Sequence, residues 1–357
     1  TSADGIDAAL VEFTPAPQLR SHHFLPYDPK LRQRVLELAS GLLPGDAIDA
    51  AGALDTELGG WFARAASELL QKSGVPATEI RAIGSHGQTI RHRPQGTHPF
   101  SLQIADPNLI AARTGIRVVA DFRRRDMALG GQGAPLVPAF HRAVFANPDE
   151  SRAVLNIGGI ANVTLLPANQ QPVTGFDTGP GNALLDIWSM RRLKQTHDTN
   201  GAFAATGRVD GRLLNELLSD RYFSLSAPKS TGREYFSAAW LDRHLTDPAL
   251  EPRDVMATLT ELTAQSIVDA VRHYSRNTAR VLVCGGGTHN RYLMQRLESL
   301  FGETRLESTE QYGIHPDWVE AMAFAWLARE TLEGRPGNLP EVTGASAATI
   351  LGAVYPV

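Results

Sequence analysis

The chain has 357 residues, of which 43% are hydrophobic and 20% charged, so it is long enough for two domains and apolar enough to bury a substantial core. Its 34 basic and 38 acidic side chains give a net charge of −4, which excludes an electrostatic case for nucleic acid or an anionic membrane as partner. Small molecules are the expected partners. The single cysteine, Cys284, excludes an intrachain disulfide and fits a reducing compartment, and the sequence has no apolar run of the roughly eighteen residues that a membrane span needs.

The N-terminal stretch opens on a small polar turn, residues 1–5, which leads into a predicted strand over residues 6–13. Hydroxyls and a carboxylate in such a turn suit a phosphate group and its Mg²⁺, although a plain hairpin turn has the same composition. The chain starts without a methionine, in what reads as the middle of a loop, so we expect residues to precede it. Apolar residues at helical spacing predict two helices downstream, over residues 28–40 and 54–73.

A predicted strand over residues 80–84 is followed at once by the polar residues 85–89. Open α/β sheets place their ligands beyond the carboxyl ends of strands, so His86 is a candidate donor to a sugar hydroxyl or a carboxylate. The alternative is a histidine that caps a buried turn. Both interpretations stay open at the level of sequence.

A second predicted strand, residues 116–120, ends in three consecutive arginines bracketed by Asp121 and Asp126. Such a run is usually solvated. Here a glycine-rich turn follows it, and we expect at least one guanidinium, that of Arg125, to be held inward for bidentate binding of a carboxylate or phosphate.

A helical piece over residues 139–146 and a polar link are predicted to end the first lobe. A new α/β unit then starts with two apolar segments that flank Gly158 and Gly159, which reads as a strand hairpin. Its bare tip would let a phosphate or another backbone approach closely, although most such turns are simple hairpins.

The stretch over residues 176–182 places Asp177 at the end of an extended segment, with glycines in the turn and a predicted helix directly after it. Such a turn can offer backbone N–H groups to an anion while it directs one carboxylate into a cleft. The alternative is a Gly-Pro turn in which the aspartate caps the helix.

The rest of the chain adds a cationic loop over residues 228–234, which either orders over substrate or lies in solvent, and a triple glycine after the predicted strand 280–284. A strand, a triple glycine and a helix N-terminus in this order form a candidate nucleotide-binding site. The segment does not have the glycine spacing of a dinucleotide-binding fingerprint, and the sequence has no P-loop motif. In a predicted helix over residues 317–333, Glu320 shares a face with apolar side chains, so it either lines a cleft or is an ordinary first-turn acid.

Together these motifs resemble the bacterial anhydro-N-acetylmuramic acid kinases, and the resemblance spans essentially the whole chain. The motifs that carry it are residues 1–7, 85–89, 121–126, 130–138, 156–162, 176–182, 228–234 and 284–290. The family implies an α/β, two-lobed actin-like ATPase (ribonuclease H-like) fold with a mixed five-stranded sheet in each lobe and ATP in the interlobe cleft. We place the lobes at residues 1–146 and 147–357, with the last helix and tail packed back on the first lobe.

By the same resemblance, the substrate is 1,6-anhydro-N-acetylmuramic acid, whose anhydro bridge is opened by water as O6 is phosphorylated by ATP, giving N-acetylmuramate 6-phosphate for cell-wall recycling. Asp177 is the implied general base, and His86, Arg125 and Glu320 are the implied substrate contacts. The implied ATP contacts are Thr1, Ser2, Asp4, Gly5, Asp7, Asn156, Gly158, Gly159, Gly179, Gly181, Gly285, Gly286, Gly287 and Asn290.

Two features of the implied site concern its phosphate turns. The family places Met-Ser-Gly ahead of Thr1. Its wider superfamily often has Asp where this chain has Asn156. Because an amide is a poorer ligand for Mg²⁺, the metal is expected at Asp4, with Asp177 as a second candidate. We expect a cytoplasmic homodimer. An ordinary hexose kinase of the same fold and an actin-like ATPase without a sugar substrate are the alternatives.

Overall fold

The computed structural model describes residues 4–43, 45–169 and 171–357. The chain divides into two compact units. Unit 1 comprises Thr1–Phe140 and Trp318–Val357, and unit 2 comprises His141–Asp317. Unit 2 is thus one continuous stretch of chain, whereas unit 1 is made of two.

The secondary structure of the described residues is mixed α/β. The strands are β1 (Gly5–Glu12), β2 (Gln18–Pro26), β3 (Ile83–Gly84), β4 (Gln88–Arg93), β5 (Phe100–Ile104), β6 (Val118–Ala120), β7 (Ser151–Ile157), β8 (Ile160–Leu166), β9 (Thr174–Pro180), β10 (Thr278–Cys284), β11 (Arg305–Ser308) and β12 (Ala353–Tyr355). The helices are α1 (Pro29–Ser40), α2 (Ala47–Ser73), α3 (Pro107–Thr114), α4 (Arg124–Ala128), α5 (Val137–Phe145), α6 (Ala183–Arg192), α7 (Gly211–Leu218), α8 (Ala238–His244), α9 (Pro252–Tyr274), α10 (Arg291–Phe301), α11 (Val319–Leu332) and α12 (Pro340–Thr343).

Unit 2 is organised around one five-stranded sheet in the order β9-β8-β7-β10-β11. Strand β8 pairs antiparallel with β7 and β9, whereas β10 pairs parallel with β7 and β11. In chain order this is 3-2-1-4-5 with the second strand reversed, the arrangement of a ribonuclease H-like sheet. The expected fold class is confirmed in this unit.

The sheet of unit 2 buries one face against α9 and α10. Alternate residues of its central strands, such as Leu155, Val163 and Val283, pack with Ile267 and Leu297 in one apolar cluster. Because side chains alternate along a strand, the residues between them lie on the opposite face. Asn156, Asn162 and Asp177 are among these, so the polar candidates share one face of the sheet.

Unit 1 differs from the single five-stranded sheet that the resemblance implied. Its described residues form three sheets, β1-β2, β12-β6-β3 and β4-β5. The strands of the middle sheet are only two or three residues long. β6 pairs with β12 over three residues and with β3 over two, so few hydrogen bonds join these strands. Gly84 also lies against the backbone of Phe324 in α11 with no room for a Cβ, so the helix packs tightly on this short strand.

Most of the predicted elements agree with the structure to within a few residues. The strands over 6–13 and 280–284 correspond to β1 and β10, and the Gly-Gly hairpin is β7-β8. The helix expected over 54–73 starts earlier, at Ala47, because the side chain of Asp46 caps it by accepting hydrogen bonds from two backbone N–H groups. The C-terminal segment expected over 349–357 contributes β12.

Candidate active site

Asp177 lies in β9, an edge strand of the unit 2 sheet, and hydrogen bonds fix it from two sides. Its backbone N–H donates to the carbonyl of Lys229 at 3.0 Å, and its carbonyl accepts from the hydroxyl of Tyr222 at 2.7 Å. Its Oδ2 accepts from the backbone N–H of Thr231 at 2.9 Å. The carboxylate is therefore held in one orientation, with Oδ1 left as the oxygen to which no described residue donates.

The environment of Asp177 raises the pKa of its carboxyl group from 3.8 to about 6. Burial is the main cause, since it penalises the charged form, and the hydrogen bond from Thr231 opposes it. A carboxylate with such a pKa is a better proton acceptor near neutral pH than an ordinary aspartate, which suits a general base.

The strand register aligns Asp177 with two asparagines. Asn156 in β7 is paired with Asn162 in β8, and Asn162 is paired with Asp177 in β9. Residues directly opposite each other in antiparallel strands point to the same face, so these three polar side chains form a row. At the end of the row, Cys284 of β10 is paired with Asn156.

The glycines after β7 and β9 pack backbone on backbone. Gly181 donates to the carbonyl of Gly159 at 2.9 Å, and Asn182 donates to that of Gly158 at 2.8 Å. A Cβ on Gly181 would run into the carbonyl of Gly158, and one on Gly179 would meet the ring of Phe223 at 2.8 Å. These glycines are required for the close approach of the two turns, in addition to any contact with a ligand.

The glycines after β10 lie beside the C-terminal end of β7. Gly285 has a φ of +82° and its missing Cβ faces Oδ1 of Asn156, and Gly287 packs on Ile157. Gly286 has open space around its Cβ position. Asn290 caps the next helix, α10, since its Oδ1 accepts from the N–H of Leu293 at 3.0 Å. Bare backbone and a helix N-terminus thus follow the ends of two parallel strands, the position at which α/β sheets bind nucleotides.

The cationic loop over residues 228–234 belongs to unit 2 and contacts Asp177. The Lys229 ammonium donates to the carbonyls of Tyr222 and Phe223 at 3.1 and 3.3 Å and lies 4.7 Å from the Tyr222 ring centre. Burial lowers the pKa of Lys229 below its usual value. The guanidinium of Arg233 lies over Gly159, where a Cβ would displace it. The loop therefore connects Asp177 to the Gly-Gly turn.

In unit 1, His86 is half-buried and both of its ring nitrogens have partners. Nδ1 lies 2.8 Å from the carbonyl of Gly87, which makes it the protonated nitrogen, and Nε2 accepts from the guanidinium of Arg123 at 2.8 and 3.0 Å. Burial first, and then the charge of Arg123, hold the pKa of His86 well below its usual value. His86 is thus a neutral acceptor that orients a guanidinium.

The arginine turned inward is Arg123, whereas Arg125 is exposed in α4. Arg123 also donates to the carbonyl of Gly133 at 2.7 Å. Burial lowers the pKa of Arg123, and the nearby charges of Glu320 and Asp126 oppose this shift. The Arg123 guanidinium is turned inward, where it is surrounded by groups from three separate segments, at His86, Gly133 and Glu320. Glu320 is exposed in the first turn of α11.

Of the proposed phosphate turn, Thr1 and Ser2 lie outside the described residues. Gly5 starts β1, and Asp4 and Asp7 are exposed. The carboxylate of Asp4 accepts from Arg32 at 3.1 Å. No cluster of three or more metal-binding side chains occurs among residues 4–43, 45–169 and 171–357. Mg²⁺ in phosphate sites commonly uses one or two carboxylates together with phosphate and water, so a half-exposed Asp4 fits one such ligand.

Sequence reasoning missed four residues near Asp177: Asn162, Tyr222, Lys229 and Thr231. A signal existed for Asn162 alone, because a hairpin with Gly158 and Gly159 at its tip pairs residues 156 and 162. The other three reach Asp177 across tens of residues. Lys229 and Thr231 lie in the cationic loop over residues 228–234, but nothing local in that loop indicates which residue it contacts.

Comparisons with known proteins identify a family. The family model for anhydro-N-acetylmuramic acid kinase matches residues 1–357. The fold and the matched family define the class of protein, a sugar kinase with a ribonuclease H-like sheet. Among curated relatives, the anhydro-N-acetylmuramic acid kinase of Coxiella burnetii (strain Dugway 5J108-111) is 51% identical over 99% of this chain and 95% of the relative. The anhydro-N-acetylmuramic acid kinase of Xylella fastidiosa (strain Temecula1) is 52% identical over 100% of this chain and 94% of the relative. The chain belongs to the anhydro-N-acetylmuramic acid kinase family.

Solved structures with detectable similarity are more distant. The activator of the 2-hydroxyisocaproyl-CoA dehydratase from Clostridium difficile, solved with ADPNP, has a TM-score of 0.41 at 15% identity, covering 76% of this chain and 84% of the other. Component A of the (R)-2-hydroxyglutaryl-CoA dehydratase from Acidaminococcus fermentans has a TM-score of 0.41 at 13% identity, covering 87% and 91%. Within the described part of the chain, no helix is both long and apolar enough to cross a bilayer.

Proposed function

We propose that this protein uses ATP and water to convert 1,6-anhydro-N-acetylmuramic acid into N-acetylmuramate 6-phosphate. The observation that carries the proposal is Asp177, a buried, oriented carboxylate with a raised pKa in the same sheet as two glycine turns suited to phosphate. The family match over the whole chain supports the choice of substrate.

In the proposed reaction, Asp177 takes a proton from a water molecule whose oxygen attacks C1 of the sugar. The C1–O6 bond breaks, and O6 attacks the γ-phosphorus of ATP in line as ADP leaves. The alkoxide that leaves carbon is captured by phosphorus, so no separate acid is needed at O6. Orientation of the water and of the phosphate then supplies most of the acceleration.

The nucleotide contacts proposed from unit 2 are the glycine turns after β7, β9 and β10, with Asn156 and Asn290 at their ends. Bare glycine backbone at these turns suits the close approach of phosphate and ribose. The proposed contacts from unit 1 are Asp4, Gly5 and Asp7, together with Thr1 and Ser2 outside the described residues. Asp4 would hold Mg²⁺, which would offset the negative charge of the phosphate groups.

The proposed sugar contacts are His86, Arg125 and Glu320 of unit 1. The structure adds Arg123, whose guanidinium is preorganised by His86 and lies near Glu320. An arginine suits the lactyl carboxylate of a muramic acid because its planar fork matches two carboxylate oxygens. We keep Arg125 as a candidate for that contact and place Arg123 beside it.

We further propose that the protein acts in the cytoplasm as a homodimer. The chain has a single cysteine, Cys284, so it forms no intrachain disulfide, which fits a reducing compartment. Gel filtration with light scattering tests the dimer.

The function is tested by measuring ADP release with the anhydro sugar, with an open-chain N-acetylmuramic acid or hexose, and without sugar. We expect turnover only with the anhydro sugar, and in ¹⁸O-labelled water we expect the label at C1 of the product. Faster turnover of an open-chain hexose would favour an ordinary hexose kinase. Robust ATP hydrolysis without sugar would favour an actin-like ATPase.

A further inference from the structure

The loop over residues 228–234 reaches Asp177 through a residue that the reaction above does not use. Thr231 donates its backbone N–H to Oδ2 of Asp177 at 2.9 Å, and two residues earlier the carbonyl of Lys229 accepts from the N–H of Asp177 at 3.0 Å. The loop thus continues along the open edge of β9, and both contacts involve the backbone.

The backbone of Thr231 has a hydrogen-bond partner in Asp177, but within the described part of the chain its side-chain hydroxyl does not. Its Oγ1 is buried and has no hydrogen-bond partner among the residues that the structure describes. A buried hydroxyl without a partner costs stability, and native proteins keep few of them. The hydroxyl is three covalent bonds from the nitrogen that contacts Asp177, so it lies within the immediate surroundings of the carboxylate.

We infer that the Thr231 hydroxyl holds the water molecule that Asp177 deprotonates. This inference rests on the proposed function. One O–H of the water donates to Oδ1 of Asp177 and the other donates to Oγ1 of Thr231, which leaves an oxygen lone pair for C1 of the sugar. The proton goes to Asp177, the water oxygen bonds to C1, and the electrons of the C1–O6 bond go to O6, which displaces ADP from the γ-phosphorus.

Two points of geometry support this arrangement. Oδ2 of Asp177 is already occupied by the Thr231 N–H, so a single carboxylate oxygen is left to take the proton. Lys229 and Tyr222 fix the position of the loop, since the ammonium donates to two carbonyls and the Tyr222 hydroxyl bonds to the Asp177 backbone. The hydroxyl and the base are thus held by the same set of contacts.

The test compares Thr231→Val with Thr231→Ser. Valine keeps the shape and the backbone N–H but removes the hydroxyl, whereas serine keeps the hydroxyl. We expect kcat to fall about 10- to 100-fold in Thr231→Val, with the KM for ATP and the acid limb of the pH profile unchanged, because the contact to Oδ2 is retained. Thr231→Ser should recover most of the lost kcat.

Melting temperature separates this role from a structural one. A hydroxyl needed for folding would make Thr231→Val less stable, whereas removal of an unpartnered buried hydroxyl should leave the melting temperature unchanged or raised. Wild-type kcat in Thr231→Val would overturn the inference while leaving the proposed function intact. If the wild-type protein showed no anhydro-sugar-dependent turnover with labelling at C1, the proposed function itself would fail.

Discussion

At the scale of single residues, the candidate site depends on one carboxylate whose environment opposes its charge. Burial raises the pKa of Asp177 to about 6, and the Thr231 N–H limits the shift. Two measurable consequences follow, one for the pH dependence of turnover and one for stability.

The first prediction concerns the acid limb of the pH profile. Asp177 acts as a base only when ionised, so kcat/KM should fall about tenfold per pH unit below pH 6, the pKa of its carboxyl group in the folded protein. An aspartate with an ordinary pKa would place this limb near pH 4. The measurement is initial rate against pH, with recovery of activity after return to pH 7.5 as the control for unfolding. A rate that stays flat down to pH 4.5 would contradict the assignment.

The second prediction uses Asp177→Asn, which keeps an acceptor for the Thr231 N–H but carries no charge. Because the folded pKa lies above the unfolded one, the native state binds more protons between pH 4 and 6, and stability falls as the pH rises through that window. The variant should therefore be more stable than wild type at pH 8, by about 1–3 kcal/mol, while turnover drops at least about 100-fold.

Urea unfolding at pH 8 and pH 4.5 checks the stability difference. It should fall to about a third of its pH 8 value at pH 4.5, because Asp177 is then protonated in the native state but still mostly ionised in the unfolded chain. A variant less stable than wild type at pH 8 would mean that a charge or donor other than the Thr231 N–H stabilises the carboxylate.

At the scale of elements, the glycine turns combine two roles that a pair of substitutions can separate. Gly181 is required for packing, because a Cβ would meet the carbonyl of Gly158, which cannot move aside. Gly286 has free space at its Cβ position. The sequence motif alone does not distinguish them.

The third prediction compares Gly181→Ala with Gly286→Ala. The first should lower the free energy of unfolding by about 2–4 kcal/mol, since the clash forces the two turns apart. The second should change stability by less than about 0.5 kcal/mol yet raise the KM for ATP if this turn binds the nucleotide. Chemical denaturation and steady-state kinetics measure the two effects. An unchanged KM in Gly286→Ala would remove Gly286 from the nucleotide contacts.

At the scale of the whole molecule, the two units differ in how the chain builds them. Unit 2 is continuous and has its own apolar clusters. Unit 1 needs its C-terminal segment, because β12 pairs with β6, and the buried carboxylate of Asp126 accepts from Asn338 and Thr343 at 2.7 Å each. Without that segment, Asp126 would lose two of its hydrogen bonds inside the protein.

The fourth prediction follows from this difference. A fragment of residues 141–317 should fold alone and unfold cooperatively, whereas residues 1–140 should lack a cooperative transition until residues 318–357 are added. Circular dichroism against temperature is the measurement, with the full-length chain as the reference. Cooperative unfolding of residues 1–140 alone would show that β12 and the bonds to Asp126 are dispensable.

The amino-acid sequence by itself determined those features whose causes are local. Strand ends, glycine turns and the hairpin at Gly158 and Gly159 depend on neighbouring residues, so pattern and turn chemistry were sufficient, and Asp177 was a candidate from its own motif. The pairing of Asn156 with Asn162 could be predicted for the same reason, because it depends only on the length of the hairpin turn.

Tertiary structure alone decided which arginine turns inward and what holds the base. Arg123 is chosen by His86 and Gly133, and Asp177 is fixed by Tyr222 and Thr231, all distant along the chain. The bounds of the two units were decided in the same way. Each of these outcomes depends on burying polar groups with partners from other segments, and that pairing exists only once the chain has folded.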